Sequence, residues 1–181
     1  MIRPSGAGPG TEPAPPGGSD SARVLVLGVG NILLSDEGAG VRLANRLQEE
    51  YLIPEGVEVL DGGTCGLDLL PGIEDCDRLL IADAVSKEDL APGEVFRRDL
   101  TGCPGYFRNR ISPHQLGLSD VLALAELSGS LPGSIVLFGI KPASLATGLD
   151  LSPEVRQGVS RLLEMVVLEL CELGYPVRLR G

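Results

Sequence analysis

Val24 to Val29 is an unbroken apolar run that stops at Gly30-Asn31, and no other feature limits the fold of this chain as strongly. A strand with one wet face alternates apolar and polar residues. A strand covered on both faces reads as a continuous run, which is the signature of a parallel sheet packed between helices. Arg78 to Ala82 and Ile135 to Ile140 repeat the pattern. Between these runs the spacing turns helical. Residues 36 to 51 place Gly40, Val41, Ala44, Leu47 and Tyr51 on one face, and the last helix carries Val155, Val159, Leu162, Leu163, Val166 and Leu170 as a stripe. Ser152-Pro153 opens that helix and Gly174 suits the position just past its end.

The remaining elements complete an alternating order. Val57 to Leu60 predicts a strand stopped by Asp61-Gly62-Gly63, and residues 65 to 72 a short helix ended by Pro71-Gly72. The third strand ends at Asp83. Glu94 to Arg98 is more polar and predicts an edge strand. In Ser112-Pro113-His114-Gln115, Ser suits the N-cap, Pro the first turn and Gln the capping-box position, so a helix is expected from there to about Leu127. Strands alternating with helices predict an α/β fold: one domain with a mostly parallel twisted sheet sandwiched between helices. Residues 1 to 22 are Pro, Gly, Ser and Ala with almost no large apolar side chain, so a disordered tail is expected there and the domain is expected over 23 to 181.

Charge and residue counts remove several functions. Fifteen basic against 25 acidic residues leave a net charge of −10. That surface does not suit a nucleic-acid backbone or an anionic membrane. No apolar run of about 18 residues spans a bilayer, and the N-terminus lacks the apolar stretch of a signal peptide. Four cysteines (Cys65, Cys76, Cys103, Cys171) show no CxxC spacing. They read as reduced thiols of a cytoplasmic protein rather than a zinc site. His114 is the single histidine, which excludes an HExxH metalloprotease within one chain.

Ligands of an open α/β sheet bind beyond the carboxyl ends of the strands. That edge should hold Asp36 and Glu37 after the first strand, Asp61 after the second and Asp83 after the third, with His114 brought in by a neighbouring loop. No Lys or Arg sits among them, so the cluster wants a metal or protons. Each residue also has a plain structural explanation. Glu37 complements a helix dipole, Asp83 and Asp61 suit turns, Asp36 suits a cap, and His114 suits an exposed or packed ring. Asp36 and Asp61 are candidates for supporting the site rather than ligating.

Other chemistries fit worse. Gly28-Val29-Gly30 begins a dinucleotide fingerprint, but Leu33 takes the third glycine position and two acids would face the pyrophosphate. No GxSxG elbow is present, and Asp61 lacks the Thr/Ser-Gly context of aspartic proteases.

Taken together, Val26-Leu27-Gly28-Val29-Gly30-Asn31-Ile32-Leu33-Leu34-Ser35-Asp36-Glu37, then Asp61-Gly62-Gly63-Thr64, Ile81-Ala82-Asp83-Ala84 and Ser112-Pro113-His114-Gln115-Leu116-Gly117-Leu118 resemble the ordered blocks of the nickel–iron hydrogenase maturation endopeptidases. The resemblance covers about residues 23 to 175. It implies a twisted sheet flanked by helices, and removal of a C-terminal extension from the hydrogenase large-subunit precursor after nickel insertion. It also implies metal binding by Glu37, Asp83 and His114. Nickel would then be supplied by the precursor, although two carboxylates and an imidazole do not by themselves select one divalent ion. No attacking side chain is assigned. A non-catalytic nickel-binding or delivery protein would use the same three ligands and stays open at this point.

Overall fold

The computed structural model describes residues 22–64, 66–102 and 117–181. β1 (Val24–Val29) lies inside a five-stranded sheet, with parallel neighbours β3 (Val57–Gly63) and β4 (Arg78–Ala84) on either side. β6 (Ser134–Ile140) runs parallel to β4, and β5 (Val95–Asp99) closes the edge antiparallel to β6, giving the order β3-β1-β4-β6-β5. The polar strand is at the edge, as its sequence requires. β2 (Tyr51–Leu52) and β7 (Arg178–Leu179) form a separate two-stranded antiparallel ribbon that has no long sequence signal.

The apolar runs are two-faced because each strand feeds two cores. Val24 and Val26 of β1 and Leu80 and Ala82 of β4 join the core under α1 (Ala39–Glu50) and α4 (Pro153–Glu172). Leu25, Leu27, Leu79 and Ile81 join the opposite core, under α2 (Leu70–Asp75) and α3 (Leu118–Ser128). All six residues expected on the α4 stripe are buried. Ser152 caps α4 by accepting from the Val155 N–H, and Gly174 follows it at φ 91°.

Several boundaries differ from expectation. β3 does not stop at Leu60 but runs through Asp61 to Gly63, paired with β1 across an irregularity at Gly28/Val29. Gly62 allows this, since a Cβ there would lie 2.9 Å from the Leu27 side chain. Pro71 opens α2 instead of ending it, because a first-turn residue has no helical partner for its N–H. β4 carries Asp83 inside its ladder, opposite Gly139. A 3-10 turn over Ser35–Gly38 precedes α1, so the helix starts at Ala39.

α3 also starts later than expected. Gly117 is extended (φ −85°, ψ 176°) and its N–H donates to the Asp120 carboxylate at 2.9 Å, which sets the helix start at Leu118. The cap expected at Ser112 and the side chain of His114 lie outside the described residues, as do Cys65, Cys103 and residues 1–21. The Ala22 carbonyl accepts from the Tyr175 hydroxyl.

Candidate active site

The chain crosses from β1 to β3 on one side and reaches β4 on the other. The crevice between the carboxyl ends of β1 and β4 is therefore the switch point where this architecture binds ligands. Three glycines let α1 close down on it. A Cβ on Gly40 would lie 2.1 Å from the Ala82 carbonyl oxygen and 2.4 Å from that of Val29; one on Gly28 would lie 2.2 Å from the Gly40 oxygen. Gly30, at φ 136°, would place its Cβ 1.8 Å from the Glu37 carbonyl oxygen. These contacts are to backbone, which cannot swing away. They seat the Ser35–Gly38 turn over the ends of β1 and β4.

Glu37 rides on that turn, half-buried, and burial raises its pKa above the usual carboxylate range. Asp83 stands near the end of β4, half-buried, one residue past the Ala82 carbonyl against which Gly40 packs. The fold thus brings Glu37 and Asp83 to one edge. His114 is outside the described residues. α3 leads into β6, which starts at the far edge of the sheet, so α3 begins at the same edge as the two acids.

Asp36 and Asp61 part company. Asp36 is fully buried. Its Oδ1 accepts from the Ser152 N–H at 2.7 Å, and its Oδ2 from the N–H groups of Ala143 (2.9 Å) and Ser144 (2.8 Å) and from the Ser152 hydroxyl (3.0 Å). One carboxylate therefore ties the Glu37 turn to the 141–152 loop and to the cap of α4. Nothing in the local sequence announces partners more than a hundred residues away. Asp61 is exposed; it accepts from the Gly63 N–H at 2.9 Å, holding that residue at φ 48°, and from the Asn45 amide at 3.5 Å. It shapes the end of β3.

Two other features stand apart from this edge. A groove of about 560 Å³ between α1 and α4 is lined by Arg42, Asn45, Arg46, Glu49, Asp150 and Arg156, and contains neither Glu37 nor Asp83. Its guanidinium groups already serve Glu50, Ser160 and the carbonyls of Leu149 and Leu151. Cys76 is a buried free thiol near the opposite edge, pushed by burial up to about 12, and so is no nucleophile at neutral pH.

A mostly parallel α/β sheet flanked by helices, with Glu37 and Asp83 at the edge where its strand order reverses, defines an architecture and not by itself an activity. Comparison with known proteins is more specific. A family model described as hydrogenase maturation protease matches residues 41–169. The chain is similar to the hydrogenase 2 maturation protease of Escherichia coli (45% identical, covering 84% of this chain and 93% of that protein). It is also similar to the hydrogenase expression/formation protein HupD of Bradyrhizobium diazoefficiens (38% identical, covering 92% and 87%). The solved structure of the E. coli hydrogenase maturating endopeptidase HybD superposes with a TM-score of 0.81 at 44% identity, over 87% of this chain and 98% of that one. The chain belongs to the hydrogenase maturation protease family, and it is an endopeptidase. Of the two readings left open by the sequence, the protease prevails over the carrier.

Proposed function

We propose that this protein removes the C-terminal extension of a nickel–iron hydrogenase large-subunit precursor once nickel is in place, and that it recognises the nickel through Glu37, Asp83 and His114. One observation supports the reading: Glu37 and Asp83, 46 positions apart, stand at the same edge of the sheet, one on the turn seated over the ends of β1 and β4 and the other near the end of β4. The donor set suits a divalent ion. A carboxylate desolvated enough to have its pKa raised gains from a cation brought to it. His114 is three residues upstream of Gly117, a tether of roughly 10 Å at full extension, and α3 starts at the acid edge.

Nickel belongs to the substrate in this reading. Glu37, Asp83 and His114 would hold it, and bound there it would supply Lewis acidity for peptide hydrolysis. The chain's own part is to hold two acids at fixed positions: Glu37 through the glycine-seated turn that Asp36 ties to the 141–152 loop, and Asp83 through the β4 ladder. The setting is the cytoplasm. Cys76 and Cys171 are free thiols, and among the described residues no helix is long and apolar enough to cross a membrane.

The test is mass spectrometry of purified precursor, nickel-loaded and nickel-free, incubated with this protein. The loaded form loses its C-terminal peptide and the nickel-free form keeps it. Efficient trimming of nickel-free precursor defeats the nickel-recognition reading, and an intact extension on both forms defeats the assigned substrate.

A further inference from the structure

Beside the acid edge runs a strip with an unusual composition for so acidic a chain. Residues 30–35 and 142–149 contain no charged side chain. The two segments lie side by side. Leu34 and Gly148 form a parallel bridge, the Gly148 N–H donates to the Leu33 carbonyl at 2.9 Å, and the Ser35 N–H donates to the Gly148 carbonyl at 2.8 Å. Four large apolar residues on these segments face water: Ile32 (45% exposed), Leu33 (57%), Leu145 (52%) and Leu149 (61%). Single exposed leucines are ordinary; several on two paired loops mark an interaction surface.

The strip is held firm. Asp36 grips Ala143, Ser144 and Ser152, and the Ser35 hydroxyl donates to the Asp150 carbonyl at 2.7 Å. Ser35 itself sits at φ 51°, a conformation that costs a non-glycine residue and is kept only where surroundings enforce it. A pre-organised apolar surface loses little entropy on binding. It is also continuous with the site, since Ile32 packs against Gly38, the residue after Glu37.

We infer that this strip is the surface on which the precursor docks, taking an uncharged apolar patch of the hydrogenase large subunit beside its scissile segment. The inference rests on the proteolytic reading above for the identity of the partner. Position selects that partner: a polypeptide presenting a bond to Glu37 and Asp83 from this side crosses the strip. Charge selects the kind of contact, because the strip carries no charged side chain and its large exposed side chains are apolar.

The experiment compares wild type with Leu33→Asp/Leu145→Asp and with a control pair, Leu127→Asp/Leu168→Asp, which changes exposed leucines on α3 and α4. Binding of nickel-loaded precursor is measured by interferometry, cleavage by mass spectrometry, and self-association by sedimentation. The strip pair is expected to weaken Kd by about tenfold or more, as loss of two buried leucines requires, while the control stays within about twofold. An unchanged Kd in the strip pair overturns the inference. So does a wild-type dimer that the strip pair dissolves without loss of precursor binding, which would assign the strip to a second copy. A loss of thermal stability confined to the strip pair, with Kd held, would assign it to a segment of the chain itself and also overturns the inference. Strip-dependent binding without any cleavage by wild type would leave docking standing and remove the proteolytic reading instead.

Discussion

At the residue scale, Asp36 shows how little a side chain's neighbours in sequence reveal of its task. It was recognisable as an acid in a capping position beside a ligand candidate, and it caps nothing locally. It is buried and accepts four hydrogen bonds from residues 107 to 116 positions away. Removing the carboxylate strands three backbone N–H groups where water does not replace it. Asp36→Ala is therefore expected to cost about 3–5 kcal/mol of stability, measured by urea unfolding, and Asp36→Asn less. A loss under 1 kcal/mol would show that the loop re-satisfies those donors by itself. The placement of Glu37 and Asp83 at one sheet edge was legible because each follows an apolar stretch of sequence. The start of α3 at Leu118 was not, because it is set by Asp120 reaching back to the Gly117 N–H.

Elements carry the next level of control. α1 sits over the ends of β1 and β4 only because Gly28 and Gly40 have no side chains at the crossing. In sequence these read as one glycine of a fingerprint and one position on an apolar face. In the structure both permit a close helix–sheet approach. Gly40→Ala would set a methyl against two carbonyl oxygens, so α1 must lift and carry the Glu37 turn with it. Such overpacking costs about 1–3 kcal/mol. Cleavage should fall further than stability alone accounts for, which activity assays well below the melting temperature will show. Full activity in Gly40→Ala would mean the turn is seated by Asp36 alone.

Across the whole molecule, one sheet serves two cores, so the faces are not independent. Leu47 of α1 and Leu122 of α3 are buried on opposite sides of the same strands. Leu47→Ala and Leu122→Ala are each expected to cost about 2–5 kcal/mol and to shift a single unfolding transition seen alike by near- and far-ultraviolet circular dichroism. Two separated transitions in either variant would contradict a shared core. The same architecture places the Glu37 turn, the end of β4 and the start of α3 along one rim.

Periodicity and punctuation report burial and chain reversal, both local properties. They were enough for the buried strands, the α4 stripe, the polar edge strand, the acidic surface and the two acids at strand ends. Pairing between distant segments has no local cost or benefit until the chain is folded, so it leaves no periodic trace. The grip of Asp36 on the 141–152 loop, the bridge of Leu34 to Gly148 and the passage of β3 beyond Asp61 all belong to that second kind. They arise because packing a helix tightly on a sheet determines which backbone groups lose water and must find one another.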